Sequence, residues 1–183
     1  MDELSTFFHC HDKSFSTLVE ATEMGVNWMP LGYFAMIWAI DQVTGLNQMM
    51  MRLPNLLFVS IAFILIYKVL LKAFGKVPAN IGVVTVFTHS LYTPFLLTEA
   101  RSYAMYLFLG AWLMYAMVKA IEETSERKFN CSLFLVNFLC PACFYIGGIY
   151  CATTLLSYLV FVLIKKQKAT VVVASCLAGW LTF

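Results

Sequence analysis

The chain has 183 residues, of which 61% are hydrophobic and 12% charged, with a formal net charge of +2. A soluble domain of this size spreads about 25% charge over its surface, so the composition excludes an ordinary soluble domain and predicts an all-α, multi-pass membrane protein. A net charge this small gives no basis for a nucleic-acid partner; in a membrane protein the placement of Lys and Arg matters more than their sum.

Residues 1–13 open on Asp2 and Glu3 and contain His9-Cys10-His11-Asp12-Lys13. They have neither a basic start before an apolar core nor a cleavage site, so they do not read as a signal peptide. From Ser14, an N-cap candidate, Phe15, Leu18, Val19 and Thr22 recur at helical spacing beside Glu20 and Glu23, which predicts a short amphipathic helix ending at Gly25. A second helix is expected from Pro30, whose missing N–H costs nothing at a first helical position, to about Gly45. Its apolar stretch is shorter than the roughly 20 residues of a span and is interrupted by Gly and Pro, so it reads as interfacial.

The predicted spans follow. They cover 53–74, 79–98, 103–118, 131–147 and 148–164, with 169–183 starting another that stops short of crossing, and they leave 1–52 as a segment outside the hydrocarbon. Cys131 to Ile164 carries no charge over 34 residues. A single straight helix of that length would measure ~51 Å against a ~30 Å core, so a hairpin is expected, with Gly147-Gly148 at its turn. His89, Tyr92 and Pro94 within the second span suggest a kink facing protein or a polar cavity.

Basic residues orient the chain. With 1–52 and the 99–102 turn outside, nine Lys and Arg (68, 72, 76, 119, 127, 128, 165, 166, 168) fall inside and three (13, 52, 101) outside. That is the bias of the positive-inside rule. Seven carboxylates, among them Asp2, Glu3 and Glu99, lie on the outer side. Glu99 and Arg101 are the only charges between Lys76 and Lys119. A charge at mid-bilayer costs about 2.5–3.5 kcal/mol, so this pair marks a water-facing turn between two spans. An acidic, aromatic-rich outer face beside spans is where a membrane enzyme would meet its substrate.

Four stretches in order carry a resemblance: Asp2-Glu3, then Trp28-Met29-Pro30-Leu31-Gly32-Tyr33-Phe34, then Arg52-Leu53-Pro54-Asn55-Leu56-Leu57-Phe58, then Glu99-Ala100-Arg101-Ser102-Tyr103-Ala104. Together they resemble the membrane-integral glycosyltransferases related to the dolichyl-phosphate-mannose-protein mannosyltransferases. The resemblance covers residues 2–104, with Met29-Pro30 standing where the family usually has two prolines. It implies an inverting enzyme that moves a sugar from a polyprenyl-phosphate carrier to a glycan, lipid or protein acceptor on the outer side of the membrane, a bacterial inner or plasma membrane being expected ahead of the endoplasmic reticulum, in contact with membrane lipids; no cofactor is expected, and a metal requirement is left open. By the same resemblance Asp2 matches the catalytic acidic position. Glu3, beside it, is the candidate to orient the acceptor or a second proton, Arg101 and Arg52 are the outer arginines suited to a lipid phosphate, Glu99 is expected to hold Arg101 in place or bind substrate, and Tyr103 is a further substrate-binding candidate. Family members have a span before the acidic pair and further spans after this point, so the resemblance also implies a chain truncated at both ends.

Other motifs point elsewhere. Cys140-Pro141-Ala142-Cys143 has the spacing of a thiol redox pair, which would make the chain a membrane thiol oxidoreductase. In an apolar span with no cation nearby, those thiols are expected to be inert small hydrophobes. The cysteines fall mostly in spans, so no disulfide framework is implied. His9 and His11 sit at i and i+2, which does not share a helix face, so no metal site is expected there. A non-catalytic assembly subunit or a transporter half is the remaining rival. A transporter would place charges at mid-span, whereas these lie at span ends.

Overall fold

The computed structural model describes residues 2–11, 14–25, 29–89, 101–122, 130–165 and 170–182, and every regular element among them is a helix. Three helices form an N-terminal cap: α1 (Asp2–Cys10), α2 (Phe15–Glu23) and α3 (Leu31–Thr44). Helix α2 starts as its sequence predicts, with the Ser14 hydroxyl accepting from the Thr17 N–H at 3.3 Å. Helix α1 falls in a stretch to which the sequence reading assigned no element. Nine residues are too few to be stable alone. Packing compensates: Cys10 is fully buried, its thiol donating to the Phe34 carbonyl at 3.6 Å, and the His9 ring lies 4.5 Å from that of Phe34. The cap core is Cys10, Leu18, Tyr33, Phe34 and Ile37, joined by Leu46 from the connection to the bundle and Met51 from the bundle's first helix.

The bundle begins with α4 (Gln48–Phe74), 27 residues or ~40 Å long. Gly75, at φ 84°, ends it in a conformation that side-chain-bearing residues rarely adopt, and α5 (Lys76–His89) turns back alongside. The Phe63 and Phe87 rings meet at 5.4 Å across this antiparallel pair. Residues 90–100, the rest of the predicted second span, lie outside the described residues.

Helix α6 (Tyr103–Glu122) runs parallel to α4. Phe58 stacks on Phe108 at 5.4 Å, and Lys72 pairs with Glu122. Both pairs are separated by the same 50 residues, so the register is constant along the contact. Helix α7 (Cys131–Cys143) runs antiparallel to α6, with the Trp112 indole donating to the Ser132 hydroxyl at 2.8 Å near one end and Tyr106 against Phe144 at 4.8 Å near the other.

The uncharged 34-residue run does fold back, but at Phe144 and not at Gly147-Gly148. Pro141 has no N–H to extend the α7 ladder, and Phe144 adopts an extended backbone at φ −157°, ψ 125° before α8 (Tyr145–Lys165) starts. Gly147 serves contact instead. A Cβ on Gly147 would lie 2.4 Å from the Cys140 carbonyl oxygen, so only glycine lets α8 turn this tightly beside α7. Helix α9 (Thr170–Leu181) then runs parallel to α7: the Ser175 hydroxyl accepts from the Asn130 N–H at 3.0 Å, and Gly179 lies against the Phe134 carbonyl. Leu109, Leu113, Leu133, Val136, Cys140, Cys151 and Cys176 form the core between these helices.

Among the described residues three helices are long and apolar enough to cross a bilayer: Gln48–Phe74, Tyr103–Glu122 and Tyr145–Ile164. Helix α7, with 13 residues, reaches only ~20 Å and falls short of the full span read for 131–147, while α9, with 12, is too short to cross, as the reading of 169–183 expects. The apolar length of α7 was legible, but not where it would stop.

Candidate functional site

The contacts sort the charged residues by end. At one end lie the C-termini of α4, α6 and α8 and the N-termini of α7 and α9, with Lys68, Lys72 and Lys119. At the other lie the starts of α4 and α6, the α7–α8 turn, and the cap.

That second end is assembled from several elements. Ser102, fully buried just before α6, donates to the Met29 sulfur at 3.1 Å, and its carbonyl accepts from the Tyr106 N–H. From α3, Gly32 abuts the last turn of α7, where a Cβ would lie 2.7 Å from the Ala142 oxygen. Tyr33 donates to the Asn55 amide oxygen at 3.5 Å, with both side chains fully buried. Tyr103 and Tyr106 of α6 flank Phe144 at 6.2 and 4.8 Å. Beside the turn an open hollow of about 260 Å³ is lined by Pro141, Tyr145, Gly148 and Trp180.

The arginines fit this frame. Carried to the helix starts, the 50-residue register of α4 and α6 sets Arg52 level with Ser102, next to Arg101. Both arginines are partly buried. Thus Arg52, Arg101 and Tyr103 are brought to one end. Asp2 and Glu3 form the first turn of α1, on the cap at that same end, and their side chains lie outside the described part of the structure. Glu99 lies outside the described residues altogether.

Sequence reasoning passed over Tyr33 and Asn55 as a pair. The signal was an amide three residues after Arg52 in an otherwise apolar helix, which must find a partner when buried. The two histidines each have a partner within the cap. His11 Nδ1 lies 3.2 Å from an Asp41 carboxylate oxygen, its ring stacked on Phe7, while His9 Nε2 lies 3.3 Å from the Thr22 hydroxyl. Among the described residues no three His, Cys, Asp or Glu side chains converge to hold a metal. Cys140 and Cys143 are buried to within 1%.

Fold and composition together define an all-α membrane protein with a helical cap over one end of its bundle. Comparison with protein-family models, with curated proteins and with solved structures gives no match.

Proposed function

We propose that this chain forms the donor-binding part of a polyprenyl-phosphate-sugar glycosyltransferase working on the outer side of a membrane. The observation that carries the reading is the register of the parallel helices α4 and α6, which sets Arg52 level with Ser102 and so near Arg101, just before α6, beneath a cap that begins with Asp2 and Glu3. Guanidinium groups grip phosphate oxygens through paired N–H donors, and two of them at a helix-bundle mouth suit a lipid phosphate arriving from the bilayer. The apolar hollow beside Trp180, open at the same end, offers surface for a carrier tail. Tyr103 supplies an aromatic wall for the sugar, and Glu99 acts on substrate or on Arg101.

In the reaction Asp2 takes the proton of the acceptor hydroxyl while that oxygen bonds to the anomeric carbon. The bond from that carbon to the carrier phosphate breaks, and the phosphate leaves with the electron pair. Attack and departure on opposite faces invert the sugar. Glu3 orients the acceptor, and the arginines stabilise charge growing on the phosphate. Burial of Cys140 and Cys143 away from water leaves a thiol-exchange reading with less support.

The test is binding of a polyprenyl phosphate to the purified, lipid-reconstituted chain. Removing one charged hydrogen-bond donor costs about 1.5–3 kcal/mol, so Arg101→Ala should weaken binding by ~10- to 150-fold, with Arg101→Lys between. Binding unchanged within twofold in both Arg101→Ala and Arg52→Ala would refute the reading.

A further inference from the structure

Each arginine of the proposed donor site sits where its own helix supports it poorly. In α4, Pro54 has no N–H to bond the Met50 carbonyl, so the turns that carry Arg52 are joined to the rest of the helix by one bond fewer. Arg101 precedes α6, whose ladder opens at the Ser102 carbonyl. Two guanidinium forks grip one phosphate only at a fixed separation, so both places need support from outside α4 and α6.

Residues 29–33 reach both. Tyr33 donates at 3.5 Å to Asn55, which follows Pro54, and Met51, which precedes Arg52, packs in the cap core with Tyr33. Met51 and Asn55 are four residues apart on one face of α4, so the cap grips the helix on both sides of Pro54. With Tyr33 and Asn55 both at 0% exposure, bulk water does not compete for their bond. At the other end of the same stretch, the Met29 sulfur accepts from Ser102, the residue after Arg101, at 3.1 Å. Between these contacts Pro30 fixes the backbone at φ −62°, and Gly32 seats the turn against the Ala142 oxygen of α7. Five residues thus touch α4, α7 and the start of α6.

We propose that Tyr33 and Met29 are positioning residues for the two arginines: the start of α3 splints α4 across Pro54, anchors the turn before α6, and so sets the separation of Arg52 and Arg101. Their service to a phosphate rests on the donor-site reading, whereas the separation can be measured with no ligand present.

Tyr33→Phe and Met29→Leu each remove one polar contact and little volume, so the fold is kept. The separation is read in a chain carrying Arg52→Cys and Arg101→Cys, with Cys131→Ser to remove the exposed native thiol. Crosslinking by a short bismaleimide should slow several-fold on adding Tyr33→Phe or Met29→Leu, while a long flexible bismaleimide should react as before. With both arginines present, each change should weaken polyprenyl-phosphate binding by ~2- to 13-fold, the loss of one neutral hydrogen bond. Val136→Ala, a core truncation in the middle of α7, should lower the melting temperature and leave crosslinking unchanged. An unchanged short-reagent rate in both Tyr33→Phe and Met29→Leu overturns the proposal, as does an equal slowing in Val136→Ala. Slowed crosslinking together with no polyprenyl-phosphate binding by the parent chain upholds the splint and overturns the donor reading alone.

Discussion

Replacing Gly32 with alanine tests how the cap is seated on the bundle. The added Cβ would lie 2.7 Å from the Ala142 carbonyl oxygen and 2.8 Å from the Cys143 sulfur, against an ordinary contact of 3.4 Å or more. Cys143 can rotate away, but the carbonyl belongs to the last turn of α7 and cannot move alone. Helix α3 must therefore shift outward by more than half an ångström. Overpacking of this kind costs about 1–3 kcal/mol. For a chain of this size that is a fall in melting temperature of roughly 2–12 °C, read by thermal unfolding in a fixed detergent. The shift also strains the Met29–Ser102 contact, which sits beside Gly32 in the chain. Cysteines at positions 29 and 102 should accordingly crosslink several-fold more slowly in the Gly32→Ala background. Adding Cys143→Ala should recover only part of the stability, because the carbonyl contact remains. A melting temperature unchanged within 1 °C, together with an unchanged crosslinking rate, would refute the close approach of α3 to α7.

Two further outcomes are expected. In a version of the enzyme able to turn over donor, Asp2→Asn should lower turnover at least ~100-fold with little change in polyprenyl-phosphate binding, because Asn keeps shape and acceptor but takes no proton; more than a third of the parent rate would move the base to Glu3. Cys140 and Cys143, buried to within 1%, should resist a membrane-permeant maleimide under conditions that label the exposed Cys131, and rapid labelling of either would contradict the packing of α7.

Much of the architecture was legible because bilayers impose simple rules. The starts of α2 and α3 followed from Ser14 and Pro30, and the ends of α4 and α6 from the basic residues that close them. The hairpin was legible from length alone, but its turn was not. Gly147-Gly148 reads as a break when only local conformation is weighed, whereas α7 ends at Cys143, two residues past Pro141, and Gly147 is required by contact with a neighbour that sequence does not display. Helix α1 was missed for a similar reason: its stability comes from Phe34 and Asp41, more than 20 residues away. For the candidate site, Arg52, Arg101 and Tyr103 were named from sequence. That Arg52 stands level with Ser102, next to Arg101, depends on the α4–α6 register, which no local pattern encodes.

That register also turns the pair α4–α6 into a ruler. Arg52 and Lys72 are 20 residues apart on one helix, as are Ser102 and Glu122 on the other, which sets the two polar levels ~30 Å apart, the thickness of an average hydrocarbon core. In a thinner or thicker bilayer a helix meets mismatch by tilting. Parallel helices in constant register lean together, so Arg52 keeps its level with Ser102 while the angle to the membrane changes. The mouth of the bundle thus holds its geometry across membranes of different thickness.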